Sequence, residues 1–265
     1  MGGRVVRSEN GAALFLTLEN AGRRNALSVT LLNDLRAALT APMSARTRIV
    51  FIRGADGTFS AGADLNDISG TEKDADYDRL TAEIGDLIRA CPLPVAALIE
   101  GPCMGAAVEL ALSTDLRIAT KDAYFQVPAT RLGLLYKPDA ITGLRSRFGA
   151  ETLTRLMVLG ERFSAKGARR AGLVGDVVKS ADIENHAQEL SDLAAKTDAA
   201  AAAVTKQLLV ELESGRADMN AWRQRYMQIL TSDARKQGVL AIKARLGADG
   251  QGGKPKKTEK TDAVQ

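Results

Sequence analysis

The 265 residues carry 45% hydrophobic side chains and a net charge of +4, enough apolar material for one large α/β domain or two small ones. No apolar run approaches the ~18 residues needed to cross a bilayer, no apolar secretory segment follows the first arginines, and the basic excess lacks the clustering and aromatic interleaving of a nucleic-acid surface. The expectation is a cytoplasmic protein with no membrane or nucleic-acid partner, whose mild positive charge suits a phosphorylated small molecule. Cys91 and Cys103 are too few for a disulfide framework and lack metal-site spacing, so both are read as reduced and structural. The single histidine, His186, lies in the polar helix pattern ADIENHAQEL. Most hydrolase triads and nearly all zinc sites need a histidine, so catalytic work passes to carboxylates, tyrosine and backbone.

In chain order, Arg4 to Arg7 and Ala13 to Leu18 read as strands joined through Asn10-Gly11, a hairpin signal. The polar loop Arg23-Arg24-Asn25-Ala26-Leu27 leads to Ser28, an N-cap for a helix with Leu31, Leu32, Leu35 and Leu39 on one face that ends before Pro42. Ile49 to Arg53 is the next buried strand and runs into the turn-rich GADGTFSAGADL, residues 54–65. Ser69 to Asp78 is acidic, polar and expected to be mobile. Tyr77, Leu80, Ile84, Leu87 and Ile88 then recur at helical spacing.

The stretch Val95 to Ala119, VAALIEGPCMGAAVELALSTDLRIA, reads as strand, turn, helix and strand. Val95 to Ile99 is short, β-rich and fenced by prolines and glycine, as in a sheet covered on both faces. Gly105, Ala106 and Ala107 open a helix with almost no side chain, so a ligand can lie against N–H groups that have no helical partner, a place for negative charge. Glu109 follows among Val108, Leu110, Ala111 and Leu112, where a carboxylate must reach water, be paired or stay protonated. An outward-facing helix residue and a functional carboxylate both fit. Pro128 and Pro138 break the next segment, Ala150 to Leu246 is largely helical, and Gly247 to Gln265 lacks core formers and is expected to be disordered. The alternation points to parallel crossover units in a covered sheet.

Two glycine-rich segments taken together, FSAGADL at Phe59 to Leu65 and EGPCMGAAVELALSTDLRIA at Glu100 to Ala119, resemble the crotonase, or enoyl-CoA hydratase/isomerase, superfamily. Asn25-Ala26-Leu27-Ser28, FSAKGARRAGLVGDVV at Phe163 to Val178 and SDARKQGVLAIKAR near the end are similar to further segments of that family, so the resemblance covers roughly residues 4 to 246. It implies an α/β crotonase (ClpP-like) spiral of ββα units. The expected organisation is a core over residues 1–196, a C-terminal helical oligomerisation region over 197–246 and a tail over 247–265, assembled as a homotrimer or dimer of trimers.

The resemblance also implies an acyl-CoA thioester as substrate, with coenzyme A present only as part of it and no other cofactor. It assigns the oxyanion hole to the backbone N–H groups of Ala63 and Ala106 and places Ala26, Ala61, Ala63, Asp64 and Leu65 along the CoA, with Arg23 or Arg24 meeting its phosphates. Glu109 matches the first of two glutamates of typical hydratases. The second should follow the proline of F-x-x-P-E, whereas here Phe125-Gln126-Val127-Pro128 is followed by Ala129. Hydration or double-bond isomerisation of an enoyl-CoA is the leading expectation. Alternatives are an acyl-CoA decarboxylase in which Tyr136 handles the proton, a non-catalytic acyl-CoA binding protein, and, distantly, a serine hydrolase built on Ser60. Tyr136 reads equally as an aromatic filling a loop, and Lys137 and Asp139 match no catalytic position.

Overall fold

The computed structural model describes residues 2–251, with side chains through residue 246. The chain starts as a hairpin, β1 (Arg4–Asn10) and β2 (Ala13–Glu19), closed by a two-residue turn in which Gly11 takes a positive φ. Ser28 then caps α1 (Val29–Thr40), its hydroxyl accepting from the Leu31 N–H at 3.2 Å. This fills one of the orphan donors of a helix start. β3 (Ile49–Gly54) follows, then a long loop and α2 (Asp74–Ala90).

From there the chain repeats a pattern of strand, short strand and helix: β4 (Val95–Ile99), β5 (Pro102–Met104), α3 (Ala106–Ser113), β6 (Leu116–Thr120) and β7 (Tyr124–Gln126). A 3₁₀ turn at Ala129–Leu132 precedes α4 (Pro138–Arg147), α5 (Ala150–Leu153) and a π-helical turn at Thr154–Val158. β8 (Phe163–Ser164), α6 (Ala165–Arg170), β9 (Asp176–Val178), α7 (Ile183–Ala195) and α8 (Ala199–Glu213) come next. The chain divides into two compact units between Ala217 and Asp218, whereas the boundary expected from the sequence falls between α7 and α8. The second unit holds α9 (Met219–Leu230) and α10 (Asp233–Gln251). α10 runs past Leu246, where structure was expected to stop; the rest of the expected tail lies outside the described residues.

Among the described residues, the larger sheet has six strands in the order β1-β2-β3-β4-β6-β9, parallel except for the opening hairpin. Its middle strands are apolar on both faces, as parallel strands covered by crossover helices must be. Leu14, Leu16, Val50, Ile52, Val95, Ala97 and Ile99 join one core with the leucines of α1 and the buried residues of α2 and α3. The alternate residues Phe15, Phe51, Ala96, Leu98 and Ile118 join the other core with Ile183 and Ala187 of α7. Phe15 and Phe51, paired across β2 and β3, stack with ring centroids 5.1 Å apart.

The smaller sheet is β5-β7-β8; an isolated bridge joins Ser60 to Cys103 of β5, and a second joins Leu27 to Ala63. These three strands were not expected from the sequence. Each is two or three residues long, too short for period-2 patterning to register. The segment Ser69 to Asp78, expected to be mobile, is a hydrogen-bonded turn as far as Asp74 and the first turn of α2 beyond it. Asp74 accepts from the Ser69 N–H and hydroxyl and the Gly70 N–H at 2.7–2.9 Å, and the bonds from Ser69 chiefly lower its pKa.

Lys206 on α8 is buried and ties that helix to the sheet. Its ammonium lies 2.7 Å from Asp115 and donates to the carbonyls of Ile88 and Leu93, while Asp115 also accepts from the Val95 N–H. Asp115 is half-buried, so removing Lys206 chiefly leaves it and two carbonyls without the ammonium they bind. Lys206→Met should therefore lower stability by about 2 kcal/mol, read as a shift of the urea midpoint at unchanged slope.

Candidate active site

β3 and β4 are neighbouring parallel strands, so the loops leaving their C-terminal ends emerge side by side. They are laced together: the Phe59 N–H donates to the Glu100 carbonyl, Ser60 to Pro102 and Met104 back to Ser60, at 2.7–3.2 Å. Gly62 makes the approach possible. Its φ is +93°, and a Cβ there would stand 2.5 Å from the Met104 carbonyl oxygen and 3.7 Å from the Ala106 nitrogen. Gly105, also at positive φ, turns the chain into α3.

Around this crossing the N–H groups of Ala61, Gly62, Asp64 and Gly105 all have acceptors, as does that of Leu27. Those of Ala63 and Ala106 have none among the described residues. Two unpartnered donors, brought close by one glycine, face a cavity of about 660 Å³ that both residues line.

Glu109, one turn into α3, lies in the wall of the same cavity with its side chain 10% exposed. Both carboxylate oxygens are engaged. The Tyr136 hydroxyl donates to Oε2 at 2.8 Å, and the Lys137 ammonium lies 2.8 Å from Oε1 while donating to Thr81 Oγ1 at 2.5 Å. Lys137 is itself only 16% exposed, so it supplies the countercharge that a buried carboxylate needs. Pro138 at the first position of α4 fixes where that helix begins and so holds Lys137 at its N-terminus.

The surrounding phenols respond to this environment. Burial, then the Glu109 charge, raises the pKa of Tyr136 well above the ordinary tyrosine value, and the same two causes raise that of Tyr77. Tyr77 lines the cavity from α2 and donates to the Leu27 carbonyl at 2.9 Å. Asp78, also on the wall, has its pKa raised by burial, with Lys137 opposing.

Arg23, Ala26, Ala61, Ala63, Asp64, Leu65, Ala106, Glu109 and Tyr136 all line the one cavity. Arg24 does not. It sits at positive φ in the turn, and of the two arginines it is Arg23 that reaches the cavity, bound to the buried Asp64 at 3.1 Å. Ser60 is fully buried, its hydroxyl accepting from the Gly62 N–H, and lies outside the cavity lining. His186 is on α7 between Asp176 and Glu189, also away from the cavity.

Sequence reasoning weighed Lys137 and set it aside, read Tyr77 only as a helix residue, and did not single out Thr81. Nothing in linear spacing ties residue 137 to residue 109. The usable signal was the Lys-Pro step that starts α4. Apart from Asp74, the rest of the lining is apolar and includes the exposed Leu132, Leu134 and Leu135 together with Val127, Pro128 and Ala129. A second cavity of about 440 Å³ lies between α2, α3 and α4 and shares Asp78, Glu109 and Lys137 with the first.

Residues 8–248 match the family model described as Enoyl-CoA hydratase/isomerase. A probable enoyl-CoA hydratase of Mycobacterium leprae is 34% identical over 183 residues, 68% of this chain and 73% of that protein. The 2,3-dehydroadipyl-CoA hydratase of Escherichia coli is 29% identical over 257 residues, covering 94% of this chain and 98% of that one. Among solved structures, an enoyl-CoA hydratase/carnithine racemase from Magnetospirillum magneticum matches with a TM-score of 0.85 at 25% identity, over 91% of this chain and 92% of that one. Pseudomonas aeruginosa AtuE matches at 0.82 and 30% identity, over 90% and 95%. The strand order and the paired loops are thus those of the crotonase fold. With most of its length matched, the chain belongs to the enoyl-CoA hydratase/isomerase family.

The two glycines of the crossing can be told apart. Gly62→Ala should cost about 1–3 kcal/mol in backbone strain and more from the contact with the Met104 carbonyl. Gly105→Ala, where a Cβ meets nothing within 4 Å, should cost only the backbone part, about 1–3 kcal/mol. Denaturant titration of both variants checks the order.

Proposed function

We propose that the protein is an acyl-CoA-processing enzyme that moves a proton on an enoyl-CoA thioester, with the enolate oxygen held by the Ala63 and Ala106 N–H groups and the proton carried by Glu109. The observation that carries this reading is the sharing of one apolar cavity by a buried carboxylate and two unpartnered backbone donors. Fixed donors aimed at a developing oxyanion contribute on the order of 100-fold to 1,000-fold each. A positioned acid or base contributes about 100-fold to 10,000-fold.

Isomerisation is the reaction one carboxylate performs most directly. Glu109 takes a proton from C2 of a 3-enoyl thioester, the electron pair moves to the thioester oxygen, and the same carboxyl returns the proton at C4 to leave the 2-enoyl product. Hydration runs through the same groups: Glu109 takes a proton from water as hydroxide adds to C3, then delivers it to C2. The hydratase names of the relatives support the second course, and Ala129 after Pro128 supports the first, because only one of the two usual carboxylates is present. In either course Arg23, Ala26, Ala61, Asp64 and Leu65 lie along the CoA. No cofactor beyond the CoA of the substrate is used, and the protein works in the cytoplasm as a homotrimer or dimer of trimers, which its mass in solution tests.

A second reading, decarboxylation with Tyr136 as proton donor, draws on the 2.8 Å contact between that phenol and Glu109. Burial keeps the phenol protonated through the neutral range. Its proton is already directed at Glu109, which makes Tyr136 a positioning group in the preferred reading.

The substrate is found by incubating the protein with a panel of acyl-CoA thioesters and reading the products by mass spectrometry. On the best substrate, Glu109→Gln should leave thioester affinity nearly unchanged and lower kcat by about 100-fold to 10,000-fold. An unchanged kcat removes Glu109 as the proton carrier, and thioester binding without turnover by the wild-type protein indicates a binding protein.

Tyr136→Phe should lower kcat by about tenfold, the effect of one lost hydrogen bond of about 1.4 kcal/mol. Loss of all turnover in that variant, with Glu109→Gln still active and a wild-type product that has lost carbon dioxide, would instead support the decarboxylase chemistry. Steady-state kinetics of the two variants side by side separates the cases.

A further inference from the structure

We propose that Lys137 is a specificity-determining residue that ends the acyl cavity and thereby limits the length of chain the protein accepts. The inference rests on the acyl-CoA reading and extends it to the shape of the substrate. The two cavities have one wall in common, made by Asp78, Glu109 and Lys137. Lys137 is the part of that wall held from both sides, by Glu109 on α3 and by Thr81 on α2. An acyl chain whose thioester carbonyl sits at Ala63 and Ala106 and whose first carbons pass Glu109 meets this strut next.

The space behind it is about 440 Å³ and is lined by both apolar and charged residues. Ala82, Leu112, Pro138, Ala140 and Leu144 give it an apolar side, with Gly143 leaving a gap in α4, and Asp78, Arg79, Asp86, Arg89, Asp139 and Arg147 also line it. The arginines are engaged: Arg147 donates to the carbonyls of Leu112 and Thr114, Arg89 is bound to Asp86 at 2.5 Å and Arg79 to Asp76. What keeps a longer chain out is therefore the buried ion pair, which a methylene cannot displace without leaving two charges uncompensated.

The test is a set of dissociation constants, by calorimetry, for saturated acyl-CoA thioesters from butanoyl- to dodecanoyl-CoA. For the wild-type protein, affinity should rise by about fourfold for each buried methylene and level off where the chain reaches Lys137. In Glu109→Gln/Lys137→Ala, which removes both charges of the pair together, the rise should continue to longer chains. Adding Gly143→Leu to that variant should restore the plateau by filling the rear space. A Cβ at Gly143 meets nothing within 4 Å, and leucine favours a helix over glycine. Gly143→Leu alone should leave the wild-type profile where it is.

A double variant with the wild-type plateau would overturn the proposal. So would a wild-type background in which Gly143→Leu alone shortens the profile, since the chain would then already pass Lys137. This second result needs no change at the ion pair, so the proposal stays open to refutation even if the double variant does not fold. Absence of binding by the wild-type protein at every length would overturn the acyl-CoA reading itself, an outcome distinct from a displaced or unmoved plateau.

Discussion

The site depends on one close approach, the backbone at Gly62 lying against the carbonyl of Met104. Everything that brings the two segments there is set by the sheet. β3 and β4 are parallel neighbours, their C-terminal ends leave on the same side, and a ladder from Phe59 to Met104 carries the pairing onward into the loops. Binding sites at the carboxyl ends of parallel strands are a general outcome of such sheets. What is particular here is that the ladder uses up the surrounding amides and leaves Ala63 and Ala106 over. Donors fixed by a ladder need no rearrangement when charge develops in front of them, which is the basis of electrostatic preorganisation.

The second constraint is electrostatic. A carboxylate inside an apolar wall is tolerated only with a partner, and Glu109 has two, one charged and one neutral. Their arrangement divides the work: Lys137 balances the charge, and Tyr136 directs one oxygen. Both come from the segment that follows Ala129, just ahead of α4. A buried pair of this kind adds little net stability compared with an apolar wall, and its place between two cavities points to specificity as the reason for it.

Much of this was legible in the sequence, for reasons that differ by element. The central strand Val95–Ile99 could be read because burial on both faces leaves an uninterrupted β-rich run, and α1 because its cap and leucine spacing agree. The two loops could be read because close backbone approach demands glycine and alanine at fixed places. The short strands β5, β7 and β8 could not, since three residues carry no period. The turn at Ser69–Asp74 could not be read because polar composition does not reveal that one carboxylate, Asp74, gathers three donors. The Lys137–Glu109 contact was invisible because it is a product of packing between α3 and α4, with no local pattern to announce it. Of Arg23 and Arg24 only Arg23 lines the cavity, because Arg24 sits at positive φ in the turn, which linear sequence does not show.

That the two free donors are main-chain amides has a consequence for how such a protein diversifies. Exchange of one side chain for another at positions 63 and 106 leaves the N–H in place, proline excepted. The methyl groups of Ala63 and Ala106 are thus adjustable in evolution without loss of the unpartnered donors beside them. Selection can remodel the shape of the pocket and keep its electrostatics, a separation of the two properties that a hole built from side-chain donors would not allow.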